Sequence, residues 1–370
     1  MSRLLFVGPD HGGSIGGREQ LSRLHGRALQ ETLGDTYDSI FLPRSSLRGV
    51  KAIIAALTGR IDGVDAAAKQ RIMEHITKYE IDRVWINGSN LGALASSIKR
   101  QFPRVRVITF FHNVEPRFFI GALKQRFSVR TIGIIIATFL AERLGVRASD
   151  QLVMLNERDS HLSERLYGRA ATDLLPMSIE EPAGGTGECS DSPMMENYLL
   201  FVGGGFYANQ AGILWFAQHV APRLAIPTLI VGRGLEPLRS IISSVPNIVL
   251  VGEVNDLGPY YRHATAVVAP IFDGSGMKTK VAEALMYGKR IAGTAEAFIG
   301  YEDVVASAGW QCSSADDFVF VLSDVAALGL PLFDPAIRLR FEELYSYGSA
   351  CRRIATIIGL PHSTIENHRD

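Results

Sequence analysis

Residues 265–294 hold an apolar run, a glycine-bearing loop and a helix in direct succession, and this order restricts the fold more than any other feature of the sequence. The apolar run at 265–271 predicts a buried parallel strand. After the loop, a helix is predicted from about residue 277 to 287, where Gly288 ends it. Residues 290–294 predict the next strand. A strand, helix and strand in this order are typical of a parallel α/β sheet.

The loop in this unit is also a candidate anion site. A glycine-rich loop that leads into a helix offers unpaired N–H groups, and the helix dipole points in the same direction. Lys278 and Lys280 lie in the predicted first turn, where a cation opposes the dipole unless an anion is bound. Glu283 lies within the same two turns. Alternatively, both lysines are solvated side chains on an ordinary βα unit.

The alternation of strands and helices continues along both halves of the chain. Further strands are predicted at residues 4–7, 39–42, 83–87, 105–111, 152–155, 198–202, 228–231 and 247–252. Residues 178–197 are rich in Gly, Pro, Ser and acidic residues and have no periodicity, so they predict a linker. Since 370 residues are many for one core, we predict two α/β domains.

Composition narrows the class of protein. A hydrophobic content of 47% and a charged content of 21% are ordinary for a soluble globular protein. Residues 1–180 hold 25 Lys and Arg against 18 Asp and Glu, whereas residues 181–370 hold 13 against 20, so the first half favours an anionic partner. Cys189, Cys312 and Cys351 form no C-x-x-C pair, which argues against a zinc site and for a reducing compartment. We expect a cytoplasmic protein without a signal peptide, a membrane span or a nucleic acid partner.

Two features of the first half are candidate site elements. The loop before the first helix contains Gly13, Gly16 and Gly17, which allow a close approach of the backbone to a ligand, although the loop is not G-x-G-x-x-G. His112 and Glu115 directly follow a predicted strand, and ligands of parallel sheets bind beyond such strand ends. The alternatives are a flexible loop and a structural histidine.

The segment GSGMKTKVAEALMYGKRIAGT resembles the donor-site signature of glycosyltransferase family 4, retaining enzymes with the GT-B fold. Many members carry E-x₇-E, but a bacterial branch carries G-x-G-x-[RK]-x-K-x-x-E-A. The chain matches this branch at Gly274, Gly276, Lys278, Lys280, Glu283 and Ala284. Ser275 stands where the first Glu of E-x₇-E is expected, and Asp273 is the nearest carboxylate that could replace it.

A second segment, FVGGGFYANQAGILWF, is similar to the VGS-x₄-PN-x₅-WF element of the same branch. It keeps Gly203 and Asn209 but has Ala208 where Pro is usual. Relatives hold the diphosphate here with Arg and Lys, which this chain lacks. The resemblance therefore assigns charge neutralisation mainly to Lys278 and Lys280.

The resemblance implies a GT-B fold, in which two Rossmann-like domains face each other across a cleft and the last helix crosses back to the first domain. The implied acceptor-binding domain comprises residues 1–178 and the returning helix 348–361. A linker at 179–197, a nucleotide-sugar-binding domain at 198–347 and a polar tail at 362–370 complete the chain.

The implied activity is transfer of a hexose from a nucleoside diphosphate sugar to a hydroxyl of a glycan or lipid-linked acceptor, in surface polysaccharide assembly. The resemblance implies retention of configuration. No D-x-D motif occurs, so we expect no essential metal, and no cofactor besides the sugar nucleotide substrate.

The residues implied for the site fall into three groups. The predicted catalytic residues are His112, which would face the transferred sugar, Lys280 and Glu283. Predicted acceptor contacts are Glu115 and Arg117. Predicted donor-binding residues are Gly13, Gly16, Gly17, Gly203, Gly204, Asn209, Arg233, Val254, Asp273, Gly274, Ser275, Gly276, Met277, Lys278, Thr279, Lys280 and Glu283, with Arg233 either at the nucleotide or simply exposed.

Residues 117–145 combine basic and apolar side chains, among them Lys124, Arg126 and Arg130. Such a segment can lie in a membrane interface. Alternatively, it is a buried helix of the first domain with exposed arginines. Because the expected acceptor is lipid-linked, we predict peripheral contact with an anionic membrane, at its inner face.

Two other functions remain open at this point. One is a sugar-nucleotide epimerase of the same fold, which would gather Asp10, His11, His112 and Glu115 in the cleft. The other is a non-catalytic relative that only binds a sugar nucleotide. The reason to consider it is the missing first Glu of E-x₇-E.

Overall fold

A computed structural model describes residues 2–10, 16–43, 48–61, 63–125, 127–182, 195 and 197–360, with backbone alone at residues 50 and 326–328. The chain divides into two compact units, Met1–Pro176 with Tyr347–Asp370, and Met177–Ser346. Several predictions fall outside the described residues: the roles of Gly13 and His11, the exposure of Arg126, most of the linker, and the tail at 362–370.

The described residues form parallel strands connected by helices. The strands are β1 (Leu4–Pro9), β2 (Tyr37–Leu42), β3 (Arg83–Asn87), β4 (Arg106–Phe111), β5 (Gln151–Met154), β6 (Asp173–Leu174), β7 (Tyr198–Val202), β8 (Thr228–Val231), β9 (Ile248–Gly252), β10 (Ala264–Ala269), β11 (Ile291–Gly293) and β12 (Gly309–Gln311). The helices are α1 (Gly17–Leu33), α2 (Gly49–Leu57), α3 (Ala66–Lys78), α4 (Gly92–Gln101), α5 (Glu115–Gln125), α6 (Val129–Ala148), α7 (Glu157–Tyr167), α8 (Tyr207–His219), α9 (Arg239–Ile242), α10 (Gly258–His263), α11 (Thr279–Met286), α12 (Val305–Ala308), α13 (Ala315–Leu328), α14 (Pro335–Leu344) and α15 (Tyr347–Ile357).

Unit 1 is built on a parallel sheet with the strand order β2-β1-β3-β4-β5-β6. Strand β3 is buried at every residue and β1 at all but Pro9, as expected for a parallel sheet covered on both faces, whereas the edge strand β2 is mostly half-buried or exposed. Helix α15 packs against α1, and the side chains of Arg83 and Gln151 donate to the carbonyls of Ile358 and Ile357. The last described helix is therefore part of unit 1.

Unit 2 is built on a second parallel sheet with the order β12-β11-β10-β7-β8-β9. Strands β7 and β8 are buried at every residue, and β10 at all but Thr265. In this sheet the order reverses between β10 and β7, and in unit 1 it reverses between β1 and β3. Loops that leave the carboxyl ends of strands at such a reversal diverge to opposite faces and open a crevice for ligands.

The structure confirms the predicted α/β class and parallel sheets and corrects several boundaries. The helix predicted from about residue 277 begins only at Thr279, and Lys278 precedes it in an extended conformation with φ −95° and ψ 112°. The returning helix predicted at 348–361 corresponds to α15, which begins at Tyr347 and is separated from α14 by Tyr345 and Ser346. Strands β6 and β12 were not predicted because two or three residues show no recognisable period.

Candidate functional site

The site in unit 2 lies where the sheet reverses its strand order. Strands β7 and β10 are direct neighbours, and both end at a glycine-containing loop. The loop after β7 leads into α8, and the loop after β10 leads into α11. Because parallel neighbours end at the same edge of the sheet, the two loops that the sequence singled out meet there.

Glycines let the loops after β7 and β8 pack backbone against backbone. The amide of Gly205 donates to the carbonyl of Arg233 at 2.8 Å. A Cβ atom on Gly205 would lie 1.9 Å from the carbonyl oxygen of Gly234. Gly232 has a φ of +143°, and a Cβ atom there would lie 2.1 Å from the oxygen of Gly203. Any side chain at these positions would force the two loops apart.

Lys280 is the buried cation of this edge. It is only 7% exposed, its Nζ donates to Oδ1 of Asn209 at 2.9 Å, and the amine lies 4.0 Å from the ring centroid of Phe201. Burial lowers the pKa of Lys280 to about 7, against the opposing effect of Glu283, while Lys278 lowers it further. The amine therefore changes charge near neutral pH according to what lies beside it.

Asn209 connects Lys280 to the loop after β7. Its Oδ1 accepts from Lys280, while its Nδ2 donates to the carbonyl of Gly204 at 2.8 Å. A Cβ atom at Gly203 would lie 2.8 Å from Nδ2 of this side chain. The amide of Asn209 is thus fixed in one orientation, and Lys280 keeps a fixed place beside the glycine loop.

Lys278 is held differently from Lys280. Its Nζ donates to the carbonyl of Gly276 at 3.1 Å and contacts Oε1 of Glu296 at 3.1 Å. Its own carbonyl accepts from the hydroxyl of Tyr301 at 3.0 Å. Glu296 follows β11, the strand next to β10, so a third strand end contributes to the same edge.

Glu283 lies on α11 one turn after Lys280. Its Oε2 accepts from the hydroxyl of Tyr261 at 2.7 Å, and the ring of Tyr261 stacks on Tyr287. Burial raises the pKa of Glu283, against the hydrogen bond from Tyr261. No donor from the described residues reaches its other oxygen, so a ligand hydroxyl can use it.

The loop between β10 and α11 has further unused hydrogen-bonding capacity. Gly274 and Gly276 have φ values of +147° and +62°, which only glycine adopts without strain. The hydroxyl of Ser275 is buried and finds no partner among the described residues. No side chain caps α11, so the N–H groups of its first turn are open to an anion, except that of Val281, which donates to the carbonyl of Lys278 at 3.0 Å.

The remaining predicted donor-binding residues of unit 2 have separate environments. Asp273 accepts from the adjacent amide of Gly274 at 2.8 Å. Met277 is buried against Gly300, which marks it as a packing residue. Arg233 is exposed and lies 3.9 Å from Glu253, and Val254 is half-buried after β9. Thr279 is the first residue of α11.

The predicted residues of unit 1 also gather at the carboxyl edge of their sheet. Gly16 and Gly17 begin α1, and Nε2 of His112 lies 3.4 Å from Oγ of Ser22 on that helix and 3.5 Å from Nδ2 of Asn87. His112 is 6% exposed, with its ring edge-on to Phe110. The histidine is therefore fixed between β4, β3 and α1.

Glu115 begins α5 beside this histidine. It pairs with Nη1 of Arg18 at 2.9 Å, and its backbone amide donates to Oε1 of Glu142 at 2.9 Å. Oε2 of the fully buried Glu142 accepts from Tyr167 at 2.6 Å, and burial raises the pKa of Glu142 to about 8. Arg117 lies half-buried on the first turn of α5.

Residues 196–326 match the protein family described as glycosyl transferases group 1. No curated protein has a significant sequence match to the chain. The matched range includes every unit 2 residue of the site described above.

Solved structures with the same architecture cover almost the entire chain. A sucrose-phosphate synthase from Thermosynechococcus elongatus has a TM-score of 0.69 at 15% identity, over 96% of this chain and 98% of that one. HepE from Anabaena, solved with UDP and glucose, has a TM-score of 0.62 at 11% identity, over 97% and 99%. The lipopolysaccharide outer core galactosyltransferase WaaB has a TM-score of 0.63 at 11% identity, over 96% and 99%. The chain has the GT-B fold.

Several residues of these edges were missed in the sequence. Glu296 could have been noticed because it follows a predicted strand, whereas Phe201, Tyr261 and Tyr301 carry no local signal. In unit 1 the same holds for Ser22, Asn87 and Glu142. These are lone polar or aromatic residues, all but Tyr301 inside helices or strands, and only the tertiary fold brings them to the site.

Proposed function

We propose that the protein transfers a hexose from a nucleoside diphosphate sugar to a hydroxyl of a glycan or lipid-linked acceptor, with retention of configuration. The observation that carries this proposal is the convergence of Lys278, Lys280 and the uncapped start of α11 beside a glycine loop. They lie within the residues that match the glycosyl transferases group 1 family.

The diphosphate is the leaving group, so the site has to stabilise negative charge that grows as the sugar departs. Lys280 would supply a full positive charge, with the N–H groups around Gly276 and Thr279 as further donors. Asn209 accepts from Lys280 and donates to the carbonyl of Gly204, so the amine is already in place before the donor binds. Such preorganisation avoids reorganisation during the reaction.

Glu283 would bind the ribose of the donor. An ionised carboxylate only accepts hydrogen bonds, and ribose hydroxyls are donors. Tyr261 fixes one carboxylate oxygen, and the other would accept from the ribose. Ser275 and Asp273 are the side chains of this loop that would contact the sugar in place of the absent first Glu.

Unit 1 would supply His112 to the transferred sugar and Glu115 and Arg117 to the acceptor. Nε2 of His112 faces Ser22 and Asn87, so its ring is held and not free to rotate. We name no general base, because with retention the departing phosphate can itself take the acceptor proton.

The named structural neighbours suggest where to begin the search for substrates. HepE was solved with UDP and glucose, and WaaB is a galactosyltransferase of the lipopolysaccharide outer core. UDP-hexoses are therefore the first donors to test, and surface polysaccharide assembly is the proposed role.

The test is thermal unfolding with UDP, GDP, ADP, dTDP and their sugars, with and without EDTA. We expect stabilisation by one diphosphate that EDTA leaves unchanged and that Lys280→Ala abolishes, with the exposed Arg71→Ala on α3 as the matched control. Stabilisation by no nucleotide would refute the proposal. Conversion of the sugar nucleotide by the enzyme alone, followed by NMR, would instead identify an epimerase.

A further inference from the structure

Helix α2 of unit 1 has an apolar outer face. Ile53, Ile54 and Leu57 are 60%, 58% and 63% exposed, although they lie on one side of the helix at helical spacing. The opposite side packs against α6. Just beyond α2, Gly59 has a φ of +67°, and a Cβ atom there would lie 2.9 Å from backbone atoms of α6. The apolar side chains are thus presented outward by a helix that is itself held in place.

The start of α6, the helix against which α2 packs, carries further exposed apolar side chains. Phe127 is 74% exposed and Val129 is 75% exposed, and Ile136 further along α6 is 47% exposed. At 1.5 Å per residue, Val129 lies about 16 Å along the helix from Leu140, where Gly59 makes contact. We call the following six side chains of α2, of α6 and of the loop before α6 the α2/α6 surface: Ile53, Ile54, Leu57, Phe127, Val129 and Ile136.

The chain segments that carry the α2/α6 surface contain charges of one sign only. Residues 48–61 and 116–141 contain seven Lys or Arg and no Asp or Glu. Five of these cations are exposed and form no ion pair within the described residues: Arg48, Lys51, Arg60, Lys124 and Arg130. Exposed apolar side chains on segments that also carry exposed cations match the interface of an anionic bilayer, where apolar groups enter the acyl boundary and cations contact the headgroups.

We propose that unit 1 docks peripherally on an anionic lipid bilayer through the α2/α6 surface. No helix among the described residues is both long and apolar enough to cross a bilayer, so the contact is with its face. A protein partner of ordinary composition would meet five exposed cations that form no ion pair within the described residues, whereas an anionic bilayer supplies the counter-charge everywhere. The inference rests on the proposed function in one respect: a lipid-linked acceptor would lie in the bilayer on which unit 1 docks.

The docking test is flotation with vesicles of equal parts phosphatidylglycerol and phosphatidylcholine, compared with phosphatidylcholine alone. The full chain should float with the anionic vesicles at low salt and be released by high salt. The triple variant Ile53→Gln, Ile54→Gln, Leu57→Gln should lower the partition coefficient by about tenfold or more, because it removes the inserting groups while keeping good helix formers. The matched control is Phe320→Gln, a 69% exposed apolar residue of α13 in unit 2, which should change nothing.

A second readout places the surface at the lipid directly. Ile54→Trp should be quenched by brominated lipids in anionic vesicles, and Phe320→Trp should not. Equal flotation of the triple variant and the wild type, or no flotation of either, would overturn the proposal. So would a dimer in solution that the triple variant dissociates without any vesicle binding, since a second copy would then be the occupant.

Nucleotide binding separates this proposal from the proposed function. The triple variant lies outside the donor site, so it should bind UDP in solution as the wild type does. If the protein floats but binds no nucleotide, docking survives and the transferase proposal fails. If it binds nucleotide but does not float, the reverse holds.

Discussion

The charge of Lys280 makes donor binding depend on pH. In the free protein burial lowers the pKa of Lys280 to about 7, so at pH 8 only about one molecule in ten carries the charge. A bound diphosphate places negative charge next to the amine and raises its pKa. Binding above pH 7 therefore takes up a proton, and the affinity for the diphosphate falls as the pH rises.

The size of the effect follows from the same pKa. Each pH unit above the pKa costs about 1.4 kcal/mol for protonation, or about tenfold in the dissociation constant. Half of the molecules are charged at pH 7 and about one in a hundred at pH 9, so the Kd should rise by about 50-fold between these values. The second phosphate pKa is near 6, so ionisation of the ligand itself adds little over this range.

Calorimetric titration with UDP between pH 6.5 and pH 9, in two buffers of different ionisation enthalpy, measures both the Kd and the proton uptake. Lys280→Arg is the control, since a guanidinium stays charged throughout, and its Kd should be nearly independent of pH. A wild-type Kd that is flat between pH 7 and pH 9 would refute the reasoning. So would a Lys280→Arg variant that keeps the wild-type slope.

Three further outcomes are expected. Glu283→Ala should raise the KM for the donor by about tenfold or more through the lost ribose contact, with Glu342→Ala on the exposed face of α14 as control; an unchanged KM would remove Glu283 from the site. Gly205→Ala should lower the midpoint of urea unfolding and weaken UDP binding, because its Cβ atom would lie 1.9 Å from a carbonyl oxygen; a variant of wild-type stability would contradict the backbone packing. Burial raises the pKa of Glu142 to about 8, so between about pH 5 and pH 8 the folded state holds a proton that the unfolded state, with its pKa of about 4.5, has lost. The free energy of unfolding should therefore fall by about 1.4 kcal/mol per pH unit across this window. Urea unfolding at a series of pH values should show this slope, and Glu142→Gln should flatten it.

The sequence predicts those parts of the fold and site that depend on neighbouring residues. Apolar runs followed by glycine loops identified the parallel strands, and the spacing of Lys278, Lys280 and Glu283 marked one loop as an anion site. Both signals lie within about 20 residues, so local periodicity and capping are enough to find them.

The rest of the site depends on how the strands are ordered. Glu296 reaches Lys278 only because β11 pairs with β10, and Phe201 reaches Lys280 only because β7 lies on the other side of β10. Strand order follows from the packing of the whole sheet, and no window of sequence contains it. The different environments of Lys278 and Lys280 could not be predicted for the same reason.

Helix α15 has a consequence for how the chain is made. Unit 1 is discontinuous, since residues 177–346 of unit 2 separate its main part from α15. At about 5–20 residues per second, translation of that insertion takes on the order of 10–30 s. During this interval unit 1 lacks Ile354 and Ala355, both buried in the finished protein. Unit 2 is thus synthesised to its last residue before unit 1 can close its own core, and a ribosome that stalls near residue 346 would release a chain with one finished unit and one incomplete unit.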